Sequence, residues 1–511
     1  MAMSSAGPSG YLRGMSQMPA NVIILHCDEM RGDCAGFSGN REVRTPHLDA
    51  FARESFILDQ HFTVHGKCVP SRVSMMTGRY AHANGTRTVM EEDLIPAERM
   101  DLMKRLKAAG YETAVFGFNH CWSGFFHDNQ PHGVVDWHSY VEPFHAITQR
   151  QVAAPPAGPR NDAPLLEDGF NLEGRITGLL RPFSDDVRTD AAIHYLRTIR
   201  DGTRPCFLQV NLSAPHPPYA VEEPWYSQYD PGAITPFPRT LPRHATLPMR
   251  SQRRYRTGEG EVSETAVREV LATYYGMISK VDMLMGRVLD CLRELNLLET
   301  SIVIFTSDHG DFAGQYGLCE KFDTVLADCL LHVPCIIHAP GLPRAGRSRQ
   351  LTQHVDLPRT ILELLGLEPG VGWNIHGISL LGVINGTVEP AAVFADGGHE
   401  ASMRERFNAH AWIPDPASGV MHKATAGKQL TYQEEPDAMA RCCMVRTATH
   451  KLVVRETGEH ELYVLGEDPW ELDNRFGESA LSTQQGQLME LIMRWQLRTM
   501  QDAPFHPLVG A

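Results

Sequence analysis

Carboxylates and imidazoles collect at four places in this chain of 511 residues, each just after a short apolar run. Val22-Ile23-Ile24-Leu25 is followed by His26-Cys27-Asp28-Glu29, and residues 113–117 by Phe118-Asn119-His120. Residues 206–212 lead to Pro215-His216, and residues 301–306 to Ser307-Asp308-His309-Gly310-Asp311. Open α/β sheets bind ligands beyond the carboxyl ends of their strands, so four strands would deliver these groups to one rim. A fifth segment, Cys68-Val69-Pro70-Ser71-Arg72, adds a thiol. Pro70 favours a helix start, and residues 71–79 read as a helix opening just after Cys68. Free backbone N–H groups and the positive helix end would then stabilise a negatively charged reactant at Cys68. Arg72, within one turn, can donate charge-assisted hydrogen bonds to an oxyanion, and Lys67 and His65 reinforce the positive field.

The elements that must position these groups are legible as alternation. Residues 21–25, 113–117, 206–212, 301–306 and 333–338 read as buried parallel strands. Helices are expected over 49–56, 100–109, 185–200, 267–295 and 356–365. That order predicts an α/β domain, a mostly parallel sheet with helices on both faces. Residues 391–395 read as one more strand of that sheet, and 397–437 as irregular. Short strand-like pieces at 444–447, 450–455 and 461–464, then a helical tail over 483–500, predict a smaller antiparallel sheet with one helix. The expected division is a leader (1–20), a catalytic domain (21–435) and a C-terminal α+β unit (436–511). The loops 153–164 and 231–260 are long enough to border a site or a subunit contact.

Composition narrows the classes of function. Lys and Arg number 47 against 61 Asp and Glu, a net charge of −14, which speaks against a general grip on nucleic acid or anionic lipid. No apolar stretch approaches the roughly 18 residues of a membrane span. Residues 1–20 lack the apolar core of a secretory signal and read as a mobile leader or expression remnant. Eleven cysteines, an odd number without repeated spacing, fit reduced thiols in a cytoplasm. Cys442-Cys443 lacks a second pair at zinc-like spacing.

Cys-x-Pro-Ser-Arg at 68–72, followed by Thr77-Gly78-Arg79-Tyr80, resembles the sulfatase signature of the alkaline phosphatase superfamily. The resemblance runs through Asp28, Asn119-His120, Pro215-His216, Asp308-His309-Gly310-Asp311 and Glu320-Lys321, in the family's order. It ends in Leu462-Tyr463 and Asp468-Pro469-Trp470-Glu471-Leu472-Asp473-Asn474, similar to the family's C-terminal phrase. It implies an alkaline phosphatase-like fold and a small anionic ester as substrate.

It further implies that Cys68 is oxidised to formylglycine by a formylglycine-generating enzyme. A hydrated aldehyde carries two hydroxyls on one carbon, one to attack sulfur or phosphorus and form a covalent hemiacetal ester, the other to lose its proton so that the carbonyl re-forms and sulfate or phosphate is expelled. Asp28 and Asp308-His309, with an oxygen of the modified Cys68, match positions that bind a divalent metal. Such a donor set suits Ca²⁺ or Mn²⁺ first, with Mg²⁺ or Zn²⁺ also compatible. Glu29 stands where many sulfatases have a second ligating Asp; its longer side chain either reaches the metal or faces away. Asp311 reads as a supporting or capping residue. By resemblance His120 bonds the formylglycine hydrate, while His216 and Lys321 contact the transferring group and the leaving oxygen. His82, Arg87 and His332 are vaguer candidates. Phe118 departs from the family's usual lysine, as in the related phosphonate monoester hydrolases, which argues against a dianionic phosphate monoester. The implied activity is sulfate-ester hydrolysis with side activity on phosphonate monoesters and phosphodiesters, or the reverse; a third reading, favoured by Phe118 alone, is a sulfatase-like protein that only binds its ligand. A homo-oligomer is implied by the family alone, and the leaving-group side would be lined by segments such as 231–260 and 397–437.

Overall fold

The computed structural model describes residues 20–87, 94–96, 98–122, 136–138, 172–176, 185–258, 260–401, 404 and 423–500. The expected leader and the loop 153–164 lie outside them. The strands in chain order are β1 (Asn21–Asp28), β2 (Phe56–Phe62), β3 (Glu112–Gly117), β4 (Trp137–His138), β5 (Leu172–Arg175), β6 (Cys206–Pro215) and β7 (Tyr219–Val221). They continue as β8 (Ser301–Ser307), β9 (Cys335–His338), β10 (Gly346–Gln353), β11 (Val393–Gly397), β12 (Cys442–Arg446), β13 (His450–Arg455) and β14 (Glu461–Val464). The main sheet runs β10-β2-β9-β8-β1-β6-β3-β4.

β1 lies near the middle, parallel to β6 on one side and β8 on the other. It is buried on both faces, and its alternating side chains enter two separate cores. Ile23 and Leu25 pack with Val281 and Leu284 of the long helix Glu264–Glu294, whereas Val22 and Ile24 pack with Val69, Val73 and Ile361. The result is helices on both sides of a mostly parallel sheet, as the strand–helix alternation implies. The register sets Asp28 beside Pro215 and Cys27 beside Ser307, so the functional segments leave the sheet at one edge.

Five points differ from expectation. The run at 333–338 was expected to be parallel, yet β9 is antiparallel to both β8 and β2. An apolar run buried on both faces encodes burial and not direction. The helix expected over 49–56 is Pro46–Arg53, and Phe56 opens β2, where the polar trio Asp59-Gln60-His61 hides the strand pattern. β10, with alternating half-exposed and exposed residues in its first part, is an edge strand that apolarity does not reveal. The strand expected over 391–395 is β11, and it joins the small sheet β11-β12-β13-β14, pairing antiparallel with β12. That small sheet therefore draws a strand from before the expected boundary at residue 435. The segment 397–437, expected to be irregular, contains the helix Lys423–Glu434.

The small sheet packs Val445, Leu452 and Leu462 on Leu488, Ile492 and Trp495 of the helix Ser482–Thr499. Ion pairs join it to the main domain. Fully buried Lys451 Nζ lies 2.8 Å from Asp328 Oδ1 and 2.6 Å from Glu471 Oε1, and Arg446 also holds Asp328 at 2.9 Å. Arg455 donates to the Thr324 carbonyl at 2.7 Å. All eleven cysteines are free thiols. Among the described residues, no helix is long and apolar enough to cross a membrane.

Removing one partner from a buried charge network leaves the others uncompensated. Lys451→Met is expected to cost about 3 kcal/mol of stability, read as a lowered urea midpoint; a midpoint equal to wild type would contradict the docking described.

Candidate active site

Cys68 is the first residue of a helix, Cys68–Thr77, rather than the residue before it. Lys67 caps that helix in extended backbone geometry, and its carbonyl accepts from Ser71 N at 3.0 Å. Every residue of the helix is buried, and Cys68 is 6% exposed. Cys68 therefore stands at the positive end of the helix, as the motif predicts.

Arg72 projects from this helix into the gap between two strand ends. Its Nη2 donates to Asp28 Oδ2 at 2.7 Å, its Nε to Asp308 Oδ2 at 2.8 Å and its Nη1 to the Phe118 carbonyl at 2.8 Å. Asp308 is further gripped through Oδ1, which accepts from Glu29 N at 3.0 Å and His309 N at 2.9 Å. Ser71 Oγ donates to its carbonyl at 2.6 Å. Burial opposes its charge, yet His309 and Arg72 hold its carboxyl well below the usual carboxylate range.

Asp28, Glu29 and His309 each offer one atom within 4.8 Å of the others, and Asp28, Cys68 and His120 form a second such group. Asp28 Oδ1, Glu29 Oε1 and His309 Nε2 are buried without a hydrogen-bond partner. His309 Nδ1 donates to the Gly310 carbonyl at 2.8 Å, which leaves the Nε2 lone pair directed at the carboxylates, 3.9 Å from Asp28 Oδ1 and 3.8 Å from Asp308 Oδ1. Desolvation lowers its basicity, but Asp308 and then Cys68 and Glu29 override that and raise its pKa to about 9. Two carboxylates and an imidazole with orphaned lone pairs fit a divalent cation, which would replace that proton.

Lys321 and His216 lie on the opposite side of Glu29. Lys321 Nζ is 2.7 Å from Glu29 Oε2 and 2.5 Å from His216 Nε2, and His216 Nε2 is 3.4 Å from the same carboxylate oxygen. His216 Nδ1 donates to the Pro217 carbonyl at 2.5 Å, so its Nε2 accepts from the ammonium. Burial works against the Lys321 charge, but Glu29 holds its pKa above the ordinary lysine value. His120 is pushed down to about 3 by desolvation and by Arg72, which keeps its imidazole neutral. Glu29 and His120 both adopt positive φ (75° and 51°), a backbone strain that clusters at functional sites. Gly117 precedes this turn at φ 100°, and a Cβ there would stand 1.9 Å from the Asn211 carbonyl oxygen.

Asp28, Glu29, Cys68, Arg72, His120, His216, Asp308, His309 and Lys321 thus share one rim. Asp311 supports it: Oδ1 accepts from Tyr219 OH and Ala313 N, both at 2.6 Å, while burial and Glu29 push its carboxyl well up. His82 and His332 stand apart, His82 on Asp396 at 2.5 Å and His332 on the Asp59 carbonyl at 2.8 Å. Sequence reasoning missed Asp185 and Arg188. The Phe118 ring stacks on His120 (5.6 Å, 21°), and the Arg188 guanidinium lies 4.3 Å from the Phe118 ring centre. Asp185 fixes Arg188 at 2.6 Å and accepts from Ser213 N and Ala214 N, both at 2.8 Å, tying the His216 segment to the His120 segment. No local pattern announces either residue, because both act across the fold.

A sulfatase family model matches residues 20–367. The chain is 26% identical to an ulvan-active sulfatase of Formosa agariphila over 68% of its own length and 61% of that relative's. It is 25% identical to an arylsulfatase of Clostridium perfringens, covering 72% of this chain and 79% of the relative. In fold it is similar to the phosphonate monoester hydrolase of Agrobacterium radiobacter, with a TM-score of 0.70 at 21% identity, covering 94% and 96% of the two chains. With its motifs gathered at one sheet edge and the family model spanning most of its length, the chain belongs to the sulfatase family, a family of sulfuric ester hydrolases.

Proposed function

We propose that the protein hydrolyses sulfate monoesters, with residue 68 converted from Cys68 to formylglycine by a formylglycine-generating enzyme and with a divalent cation, Mn²⁺ or Ca²⁺, held by Asp28, Glu29, Asp308, His309 and residue 68. The observation that carries this reading is the convergence of three orphaned buried atoms, Asp28 Oδ1, Glu29 Oε1 and His309 Nε2, beside a helix that begins with Cys68. A bound cation supplies Lewis-acid polarisation, and the formylglycine hydrate supplies one hydroxyl for attack and a second for release of sulfate.

The chain's own residues do the rest. Arg72 holds Asp28 and Asp308 at fixed separation and cancels part of their mutual repulsion. The first turn of the helix directs N–H groups at the anion. His120, kept neutral, is ready to accept a proton at residue 68. Lys321, kept charged, stabilises negative charge growing on the leaving oxygen, and His216 Nε2 lies against its ammonium to receive or return a proton there.

A second reading, phosphonate monoester or phosphodiester hydrolysis as the main activity, is favoured by Phe118. That position presents an aromatic ring backed by Arg188, where a lysine ammonium would clamp the anion directly. Apolar surface beside the reacting group suits a monoanionic ester with an aryl or alkyl arm.

Cys68→Ala should lower aryl sulfate turnover by about 10³-fold or more while leaving the thermal midpoint unchanged, and mass analysis of the peptide spanning Cys68 should show an aldehyde in the active wild type. A wild type with an unmodified thiol and full activity would end the proposal. Arg72→Lys should cost about 10²-fold in kcat, because an ammonium cannot bridge both carboxylates and the Phe118 carbonyl; a change below about threefold contradicts that role. The ratio of kcat/KM for phenyl sulfate and for an aryl phenylphosphonate ranks the two readings. A ratio above one favours the first and a ratio below one the second.

A further inference from the structure

Glu29 and Lys321 meet at 2.7 Å from two separate turns. Each turn is built on a residue in left-handed backbone geometry, Glu29 at φ 75° and Glu320 at φ 59°. That geometry is disfavoured for such residues, so surrounding contacts must hold it. In the first turn Glu29 N donates to Asp308 Oδ1 at 3.0 Å, and the Glu29 carbonyl accepts from Tyr274 OH at 2.7 Å. The same hydroxyl accepts from Arg31 N at 3.0 Å, so Tyr274, on the long helix Glu264–Glu294, spans the turn. In the second turn Glu320 N donates to Tyr219 OH at 3.1 Å, and the Glu320 carbonyl accepts from Phe312 N at 2.9 Å. Tyr219 opens β7 and gives its own proton to Asp311 Oδ1 at 2.6 Å.

The two phenols form one unit. Both are fully buried, and their rings meet edge to face with centres 6.1 Å apart. Burial pushes both hydroxyls well up, which keeps their protons in place. Each hydroxyl donates once and accepts once. Arg31 completes the frame, its Nη1 donating to the Asp311 and Phe312 carbonyls at 3.3 and 3.2 Å. Phenylalanine would fill nearly the same volume at either place. What tyrosine adds at both is a pair of bonds to a strained turn.

We infer that Tyr219 and Tyr274 are positioning residues for the reaction: Tyr274 sets the Glu29 carboxylate against the cation, and Tyr219 sets the Lys321 ammonium against the leaving oxygen. This deepens the sulfatase reading and rests on it for those roles of Glu29 and Lys321. The two hydroxyls should then fail differently. Loss at Tyr219 slows most the esters whose departing oxygen is most basic, whereas loss at Tyr274 loosens the cation and slows all esters alike.

Tyr219→Phe should lower kcat/KM about tenfold for phenyl sulfate and less than about threefold for 4-nitrophenyl sulfate, because nitrophenolate needs less stabilisation as it leaves. Tyr274→Phe should lower both by one common factor of about tenfold. Calorimetric titration of the metal-depleted full-length protein with Mn²⁺ should show that variant binding about tenfold more weakly than wild type. Each ester comparison is a ratio within one sample, so a smaller folded fraction cancels. If Tyr219→Phe does not fold, Asp311→Ala, which removes the acceptor that aims the Tyr219 hydroxyl, should give the same ester signature. Equal losses on the two esters in the Tyr219 arm, or Mn²⁺ binding by wild type no tighter than by Tyr274→Phe, would overturn the inference. A wild type that cleaves aryl phenylphosphonates and no aryl sulfate would end the sulfatase reading alone. The same comparison on phenyl and 4-nitrophenyl phenylphosphonate then decides the positioning roles.

Discussion

The site depends on one buried guanidinium. Strand register brings the ends of β1 and β8 side by side, so Asp28 and Asp308 would confront each other as adjacent negative charges. Arg72 bridges them from the helix that also begins with Cys68, and its third donor reaches the Phe118 carbonyl at the end of β3. Burying three charges carries a large desolvation cost, met here by hydrogen bonds at every nitrogen group of the fork. One side chain thereby ties together the helix that begins with Cys68, the two carboxylates and the His120 turn.

Around this fixed point the charges are segregated. On the Asp28–Asp308 face the residual field is negative enough to draw a proton onto His309, the same field that favours a cation. On the far side of Glu29, Lys321 and His216 meet that carboxylate's second oxygen, so Glu29 belongs to both halves. Its φ of 75° is the backbone adjustment that allows one residue to serve both. A positive φ of 59° at Glu320, just before Lys321, marks the corresponding turn on the other segment.

Much of this was legible in the sequence, for identifiable reasons. Cys68 and Arg72 lie in one turn of helix, and Asp28, His120, His216 and Asp308 each follow an apolar run, so local order along the chain coincides with position in the sheet. What escaped was what depends on pairing between distant segments. The direction of β9 and the existence of β2 and β10 are set by neighbours, as is the transfer of β11 to the small sheet, and their own hydrophobicity does not reveal them. Arg188 behind Phe118 belongs to the same class.

The small sheet also moulds the segment that bears Lys321. A Cβ at Gly397 would stand 2.2 Å from the Asp323 carbonyl oxygen, Arg455 binds the Thr324 carbonyl, and Lys451 and Arg446 clasp Asp328. During synthesis the helix that begins with Cys68 leaves the ribosome well before the strands that brace the Lys321 segment. Every strand of the main sheet thus precedes the four strands of the small sheet along the chain, and the Lys321 segment gains these braces only once the small sheet has folded back onto it.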